Sequence, residues 1–429
     1  MITVVGAGLA GCEAAWAAAT RGRSVRLIEQ KPGKYSPAHK SEHFAELVCS
    51  NSFKAKRVNS AAGLLKEEML RLGSLTVKCA LETSVDAGGA LAVDREKFSQ
   101  LVTDRICSHP NISVEYGEAE CIPESNDPVI IATGPLTEGE LAEDISSRTG
   151  GYLHFHDAAS PIVTAESIDM SRAFFASRYG KGGDDYINCP FNKEEYERFH
   201  DALIHAESAP LHEFERSERD DFKVYEGCMP IEVLAKRGAD AVRYGTMKPV
   251  GLTDPNTGHR PWAAVQLRKE NAEGTLYNLV GFQTNLKFGE QKRVFSMIPG
   301  LENAEFVRYG VMHRNSFINS PKLLNADFSM RTDTDLYFAG QITGVEGYME
   351  SAASGIIAGI SAAGEKMILP CYTMIGALAH YISDENVTDF QPMGANMGIL
   401  PQLDEEIRDK QMRYQALADR SLAYYQSIL

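Results

Sequence analysis

The sequence lacks a C-x-x-C pair, and its eight cysteines (Cys12, Cys49, Cys79, Cys107, Cys121, Cys189, Cys228 and Cys371) are scattered, with no His/Cys cluster at zinc spacing. That distribution argues against a disulfide scaffold and a zinc site. Nor does any apolar run approach the roughly 18 residues that a membrane span needs, so no membrane is expected. The N-terminal MITVVGAGLAGCEAAWAAAT is apolar enough to imitate a secretion signal. It has no basic n-region, however, and glycine and polar residues break it, so it reads as a strand and a helix in a cytoplasmic protein. Positive charge is also short. A formal net charge of −15 argues against indiscriminate attraction to nucleic acid.

What is present is ample material for folding. At 429 residues, two domains or one inserted into another is expected. With 44% hydrophobic and 24% charged residues the composition is that of an ordinary globular chain. The charge is uneven: between Ile231 and Arg331 stand fourteen Lys or Arg against nine Asp or Glu, so a polyanion could be received there.

Residues 2–5 read as a buried strand, followed by a glycine turn and an Ala-rich helix from Glu13 to Thr20; residues 24–30 read as a second strand. This strand–turn–helix–strand unit suits parallel pairing. A helix is predicted over Ala62–Leu72, with Leu64, Leu65, Met69 and Leu72 inward and Lys66, Glu67 and Glu68 outward. The segment 31–61 before it is expected to be loop-rich. A helix at Arg95–Ser108 and strands at Ile112–Tyr116 and from Val129 follow. Beyond about residue 150 the texture becomes alternating, with a hairpin predicted from Ala263–Leu267 and Thr275–Val280. From about 305 the α/β pattern returns, with a strand at Leu336–Gly340 and a helix at Tyr348–Ala363, so the middle reads as an insertion.

The chemistry begins at Gly6-Ala7-Gly8-Leu-Ala-Gly11. In such a fingerprint the first glycine makes the tight turn and the second admits a pyrophosphate to the backbone; the third lets the helix pack on the strand. Glu29 ends the second strand eighteen residues past Gly11, where a carboxylate would accept hydrogen bonds from a ribose diol.

Ala132-Thr133-Gly134 and Tyr337-Phe-Ala-Gly340 resemble signatures of FAD proteins of the glutathione-reductase class. There the later glycine is usually followed by Asp; here it is Gln341. Gly340-Gln341, Gly347-Tyr348 and the helix from Glu350 to Ala363 resemble a branch of flavoproteins that modify transfer RNA. That branch contains the folate- and FAD-dependent tRNA (uracil-5-)-methyltransferases and the larger uridine carboxymethylaminomethyl-modifying flavoproteins. The segments 44–53, 63–69, 225–237, 289–313 and 390–400 resemble the methyltransferases, and nearly the whole chain is covered.

The resemblance implies an α/β fold. A glutathione-reductase-like, FAD-binding Rossmann-type domain (1–150 and 305–429) would carry an inserted α+β domain (151–304) that contributes to RNA and folate binding. It also implies FAD, 5,10-methylenetetrahydrofolate and NAD(P)H acting on the T loop of tRNA; no metal is expected from the cysteine pattern, and the sequence leaves the oligomeric state open, with a monomer as the default. The expected cofactor residues are Gly6, Ala7, Gly8, Gly11, Glu29, Thr133, Gly134, Gly340, Gln341, Gly347 and Tyr348.

Uracil C5 is a poor nucleophile, so a thiolate must add at C6. Cys228 precedes Pro230 and a short predicted helix at Ile231–Arg237, whose N-terminus would favour a thiolate. Cys49, in a loop flanked by Ser50, Asn51 and Ser52, is the second candidate. Cys228 is assigned as nucleophile and Cys49 as base, roles that could be exchanged. Cys189 is an open case, and the remaining cysteines are read as small buried hydrophobes. His313 could stack on a ring, while Arg314, Arg308, Lys292 and Arg293 could pair with phosphates or folate carboxylates. Lys54, Lys56 and Arg57 form a smaller basic cluster beside Cys49. Three alternatives remain open: the same chemistry on 23S ribosomal RNA, a small-molecule flavin oxidoreductase, and a flavin-binding partner protein without turnover.

Overall fold

A computed structural model describes residues 1–158, 160–180, 183–209, 229–388 and 390–428. Five parallel strands form the first sheet, in the order Leu336–Phe338, Val129–Ile131, Ile2–Val5, Val25–Glu29, Ile112–Tyr116. Ile2 stands opposite Val25, Thr3 opposite Val129, and Val25 opposite Ile112. Strands buried on both faces read as continuous apolar runs, and ITVV and VII have that character. The outermost strand is contributed from more than 200 residues downstream of its neighbour in the sheet.

The helix after the glycine turn, Leu9–Ala19, lies against Tyr348–Ala362. Their approach is backbone to backbone. A Cβ on Gly355 would stand 2.0 Å from Ala10 O, and one on Gly359 would stand 2.4 Å from Ala14 O. The small residues of the downstream helix therefore dock the two distant parts of the chain on each other.

The helix at Ala61–Arg71 corrects the expected facing, because Lys66 and Glu68 are buried. This helix packs against chain on more than one side. The Lys66 ammonium donates to Phe53 O at 2.7 Å and Ala62 O at 2.6 Å. Glu68 accepts from the Met374 and Ile375 amides at 2.7 and 2.9 Å, capping the helix Met374–Ser383 from outside it. Its oxygens also accept from Ser421 Oγ and Tyr425 Oη, tying in the helix Lys410–Ile428. Despite these donors, burial pushes the Glu68 carboxyl up to about 7.

A second sheet has the order Phe174–Phe175, Tyr186–Phe191, Ala263–Lys269, Leu276–Leu279, Ile162–Thr164, Phe306–Arg308 and is antiparallel throughout. It has its own apolar core, running in sequence from Val163 to Phe306; the main core draws on residues before 146 and after 316. A two-stranded ribbon, Leu153–Ala158 with Met312–Phe317, lies where the chain passes between them. Among the described residues no helix is long and apolar enough to cross a membrane.

Candidate cofactor and cysteine site

At the end of strand Ile2–Val5 the chain turns at Gly6, whose φ of +96° disfavours any side chain. Gly11 sits behind the turn, where a Cβ would fall 1.8 Å from Gly6 O. Gly8 is different: nothing lies within 4 Å of where its Cβ would be. Gly8 is also the N-cap of Leu9–Ala19, and no side chain caps that helix. Free amides, an open approach and the helix dipole suit a pyrophosphate. Glu29 is buried and accepts the Ala7 amide at 2.7 Å and the Lys31 amide at 2.9 Å. Each carboxylate oxygen keeps a lone pair for a ribose hydroxyl.

A cavity of about 550 Å³ runs from this turn. Gly6, Ala7, Gly8, Glu29, Thr133, Gly134, Gly340, Gln341, Gly347 and Tyr348 line it, and so does Cys49. Gly11 does not, because its part is to let the helix close on the turn. The Gly340 amide donates to Ser354 Oγ at 2.7 Å, and the Gln341 amide group donates to Glu346 at 2.5 Å. The glycine-floored cavity, lined from Gly8 and Glu29 to Gly340 and Tyr348, fits FAD.

The loop carrying Cys49 is held from several directions. The Cys49 and Ser50 amides donate to Tyr348 Oη, at 2.7 and 3.2 Å. Burial, then the neighbouring Cys49, push the Tyr348 hydroxyl well above its ordinary range, so it stays a neutral phenol. Three arginines converge from behind. Arg95 donates to Leu47 O and Arg308 donates to Val48 O. Arg268 donates to Ser50 Oγ at 2.8 Å and to Asn51 Oδ1 at 3.0 Å. Glu270 answers this charge, accepting from Arg95 Nη2 at 2.9 Å and from Asn278 at 2.6 Å. Arg268 comes from the second sheet and Glu270 directly follows its strand, while Arg95 and Asn51 come from the chain around the first, so the network joins the two cores.

Sequence reasoning passed over Arg95, Arg268, Glu270 and Asn51. The available signal was a charged residue in AAVQLRK, a strand buried along nearly all its length.

Cys228 lies outside the described residues. The short helix behind it is Ile231–Ala235, with Pro230 at its N-cap. The Ile231 amide donates to Gln283 O at 2.7 Å, and Gln283 lines the cavity. Cys189 is a core residue whose thiol burial pushes up. The expectation for the other cysteines holds for Cys12 and Cys79 and fails for Cys107, Cys121 and Cys371, which are exposed. Cys107 follows the inward Ile106 on its helix and so turns outward.

The basic candidates separate. Lys292 and Arg293 are exposed on the helix Phe288–Phe295 and do not line the cavity; Arg293 pairs with Glu290 at 2.6 Å. The backbones of His313 and Arg314 lie in strand Met312–Phe317, next to cavity-lining Asn315; their side chains lie outside the described residues. Arg308 is committed to the Cys49 loop. Lys54 lines the cavity with its ammonium 3.3 Å from Glu350, while Lys56 and Arg57 are exposed.

A parallel α/β sheet with a glycine-turn cradle, completed by a strand and helix from the far end of the chain, defines a FAD-binding flavoprotein of Rossmann type. Residues 1–368 match the family model described as glucose inhibited division protein A. The chain is 58% identical over 427 residues to the methylenetetrahydrofolate–tRNA-(uracil-5-)-methyltransferase TrmFO of Acetivibrio thermocellus, covering 98% of this chain and 97% of that one. It is 54% identical to the protein of the same name from Halalkalibacterium halodurans, over 100% of this chain and 98% of that one. The chain therefore belongs to the glucose inhibited division protein A family, in the branch of the methylenetetrahydrofolate–tRNA-(uracil-5-)-methyltransferases. Aquifex aeolicus GidA has the same fold, with a TM-score of 0.70 at 18% identity, over 99% of this chain and 73% of that one.

Proposed function

We propose that this chain, acting in the cytoplasm as a monomer, methylates C5 of a uridine in the T loop of transfer RNA. The carbon comes from 5,10-methylenetetrahydrofolate and the electrons from NAD(P)H by way of FAD. Residues 1–150 and 305–429 hold the flavin, and residues 151–304 contribute to RNA and folate binding. The observation that carries the reading is that Cys49 lines the same cavity as the dinucleotide cradle. When bound, FAD supplies the two-electron reduction that turns a methylene into a methyl group.

Cys228 acts as nucleophile. Its thiolate adds to C6 and raises the electron density at C5, which attacks the methylene carbon of the folate as one of that carbon's two bonds to nitrogen opens. Cys49 removes the C5 proton as the remaining bond from the methylene carbon to the folate nitrogen breaks, which leaves an exocyclic methylene on C5; a hydride delivered to that carbon, which reduced FAD would supply, restores the C5–C6 double bond and expels the Cys228 sulfur. The guanidinium groups of Arg95, Arg268 and Arg308 hold the loop on both sides of Cys49 and so position its sulfur at the cavity.

RNA bearing 5-fluorouridine at the target has no C5 proton to lose, so the adduct persists. Wild type and Cys49→Ala should form a gel-stable complex with this RNA, and Cys228→Ala should form none. A complex that survives Cys228→Ala overturns the assignment.

A further inference from the structure

We propose that the ring stack Phe306–Tyr309–Phe288 is a platform on which an RNA base next to the target uridine stacks. The proposal rests on the reading of an RNA substrate given above and says where that RNA lies. Phe306 and Tyr309 are stacked with centroids 5.4 Å apart and planes 12° apart; Tyr309 and Phe288 follow at 5.0 Å and 18°. Other ring pairs, such as Phe282–Phe295 and Phe53–Phe98, meet edge-on, as core aromatics commonly do. The inner ring, Phe306, packs on the second core, and the outer ring, Phe288, is 57% exposed. The stack thus ends in an open, flat apolar face of the kind on which bases stack.

Its position is fixed relative to Cys49. Tyr309 follows Arg308, whose guanidinium donates to Val48 O, one residue before Cys49. Gln291 binds both backbone groups of Gly310 at 2.8 Å and so clamps the helix that carries Phe288 to this strand end. Lys292 lies one turn beyond Phe288 on the same helix face and is exposed; Lys287, which precedes the ring, pairs with Glu207 at 2.5 Å. An exposed ring with the Lys292 ammonium beside it suits a nucleotide, whose base is apolar on its faces and whose phosphate is anionic. One ring is too small for a protein-docking patch of several hundred Å².

The test measures binding of a fluorescently labelled T-stem-loop RNA to the full-length FAD-loaded protein. Phe288→Ala should weaken binding about tenfold, the loss expected for one stacked base, and Phe288→Trp should stay within about twofold of wild type. A 2-aminopurine placed beside the target uridine should be quenched by wild type and not by Phe288→Ala. Single-turnover methylation at saturating RNA should be unchanged in both variants. Tight wild-type binding that Phe288→Ala leaves intact overturns the platform alone, as does a Phe288→Ala effect confined to self-association in sedimentation. Wild-type protein that binds no RNA removes the proposed function and the platform with it.

Discussion

The hydroxyl of Tyr348 accepts the amide of Cys49 at 2.7 Å, joining residues 299 apart in the chain at the rim of one cavity. The same oxygen accepts the Ser50 amide. One phenol at the start of the helix Tyr348–Ala362 therefore fixes the backbone of the loop that carries the sulfur.

Tyr348→Phe strands two partly buried amides without an acceptor. A loss of about 1–3 kcal/mol in loop positioning is expected, felt as roughly a 10- to 100-fold lower kcat while bound flavin is retained. Parallel methylation rates and flavin-to-protein absorbance ratios check this; full activity would show that the loop is held without Tyr348.

Glu270→Gln leaves the Arg95 and Arg268 guanidinium groups buried with their shared counter-charge removed. Breaking such an arrangement costs about 3–5 kcal/mol. The urea midpoint of the FAD-loaded protein should fall, with little change from the isosteric Glu273→Gln, because Glu273 pairs with Lys97 at the surface.

Glu68 sets a pH dependence. Its carboxyl is raised by burial to about 7, so the fold holds its proton more tightly than the unfolded chain does, for which the reference is 4.5. The associated stability is full below 4.5 and is lost as pH rises through 7, an amount of about 3 kcal/mol. Unfolding measured from pH 5 to pH 8 should show this decline in wild type and a flatter profile in Glu68→Gln.

Gly11→Ala puts a methyl carbon 1.8 Å from Gly6 O, which is backbone and cannot swing aside. The helix must lift off the turn, at a cost of about 1–3 kcal/mol or more, and the cradle opens. The purified variant should be colourless or need excess FAD. Gly8→Ala, whose methyl meets no protein atom, should fold normally and lose flavin affinity by crowding the ligand.

The glycine turn, the strands at its two sides, the hairpin Ala263–Leu279 and the helix Arg95–Ser108 were legible because each is encoded by its own residues. Local periodicity places them, and a positive φ or a parallel strand leaves a compositional mark. Lys66 and Glu68 show where that reading stops. In the sequence they belong to the polar side of an amphipathic helix; the helices Met374–Ser383 and Lys410–Ile428 make Glu68 interior, and the chain at Phe53 covers Lys66. The exposed Cys107, Cys121 and Cys371 make the same point in reverse.

The sequence by itself determined a dinucleotide cradle, since a glycine turn and a strand-end carboxylate are a few neighbouring residues with a fixed chemical task; its FAD character and Cys49 as a candidate came from resemblance to a family. Only the tertiary structure decided what surrounds that sulfur. Arg268 reaches Ser50 and Asn51 across more than 200 residues, and Tyr348 reaches Cys49 across nearly 300. Buried polar groups must find partners wherever the packed chain puts them, and no local pattern states where that is.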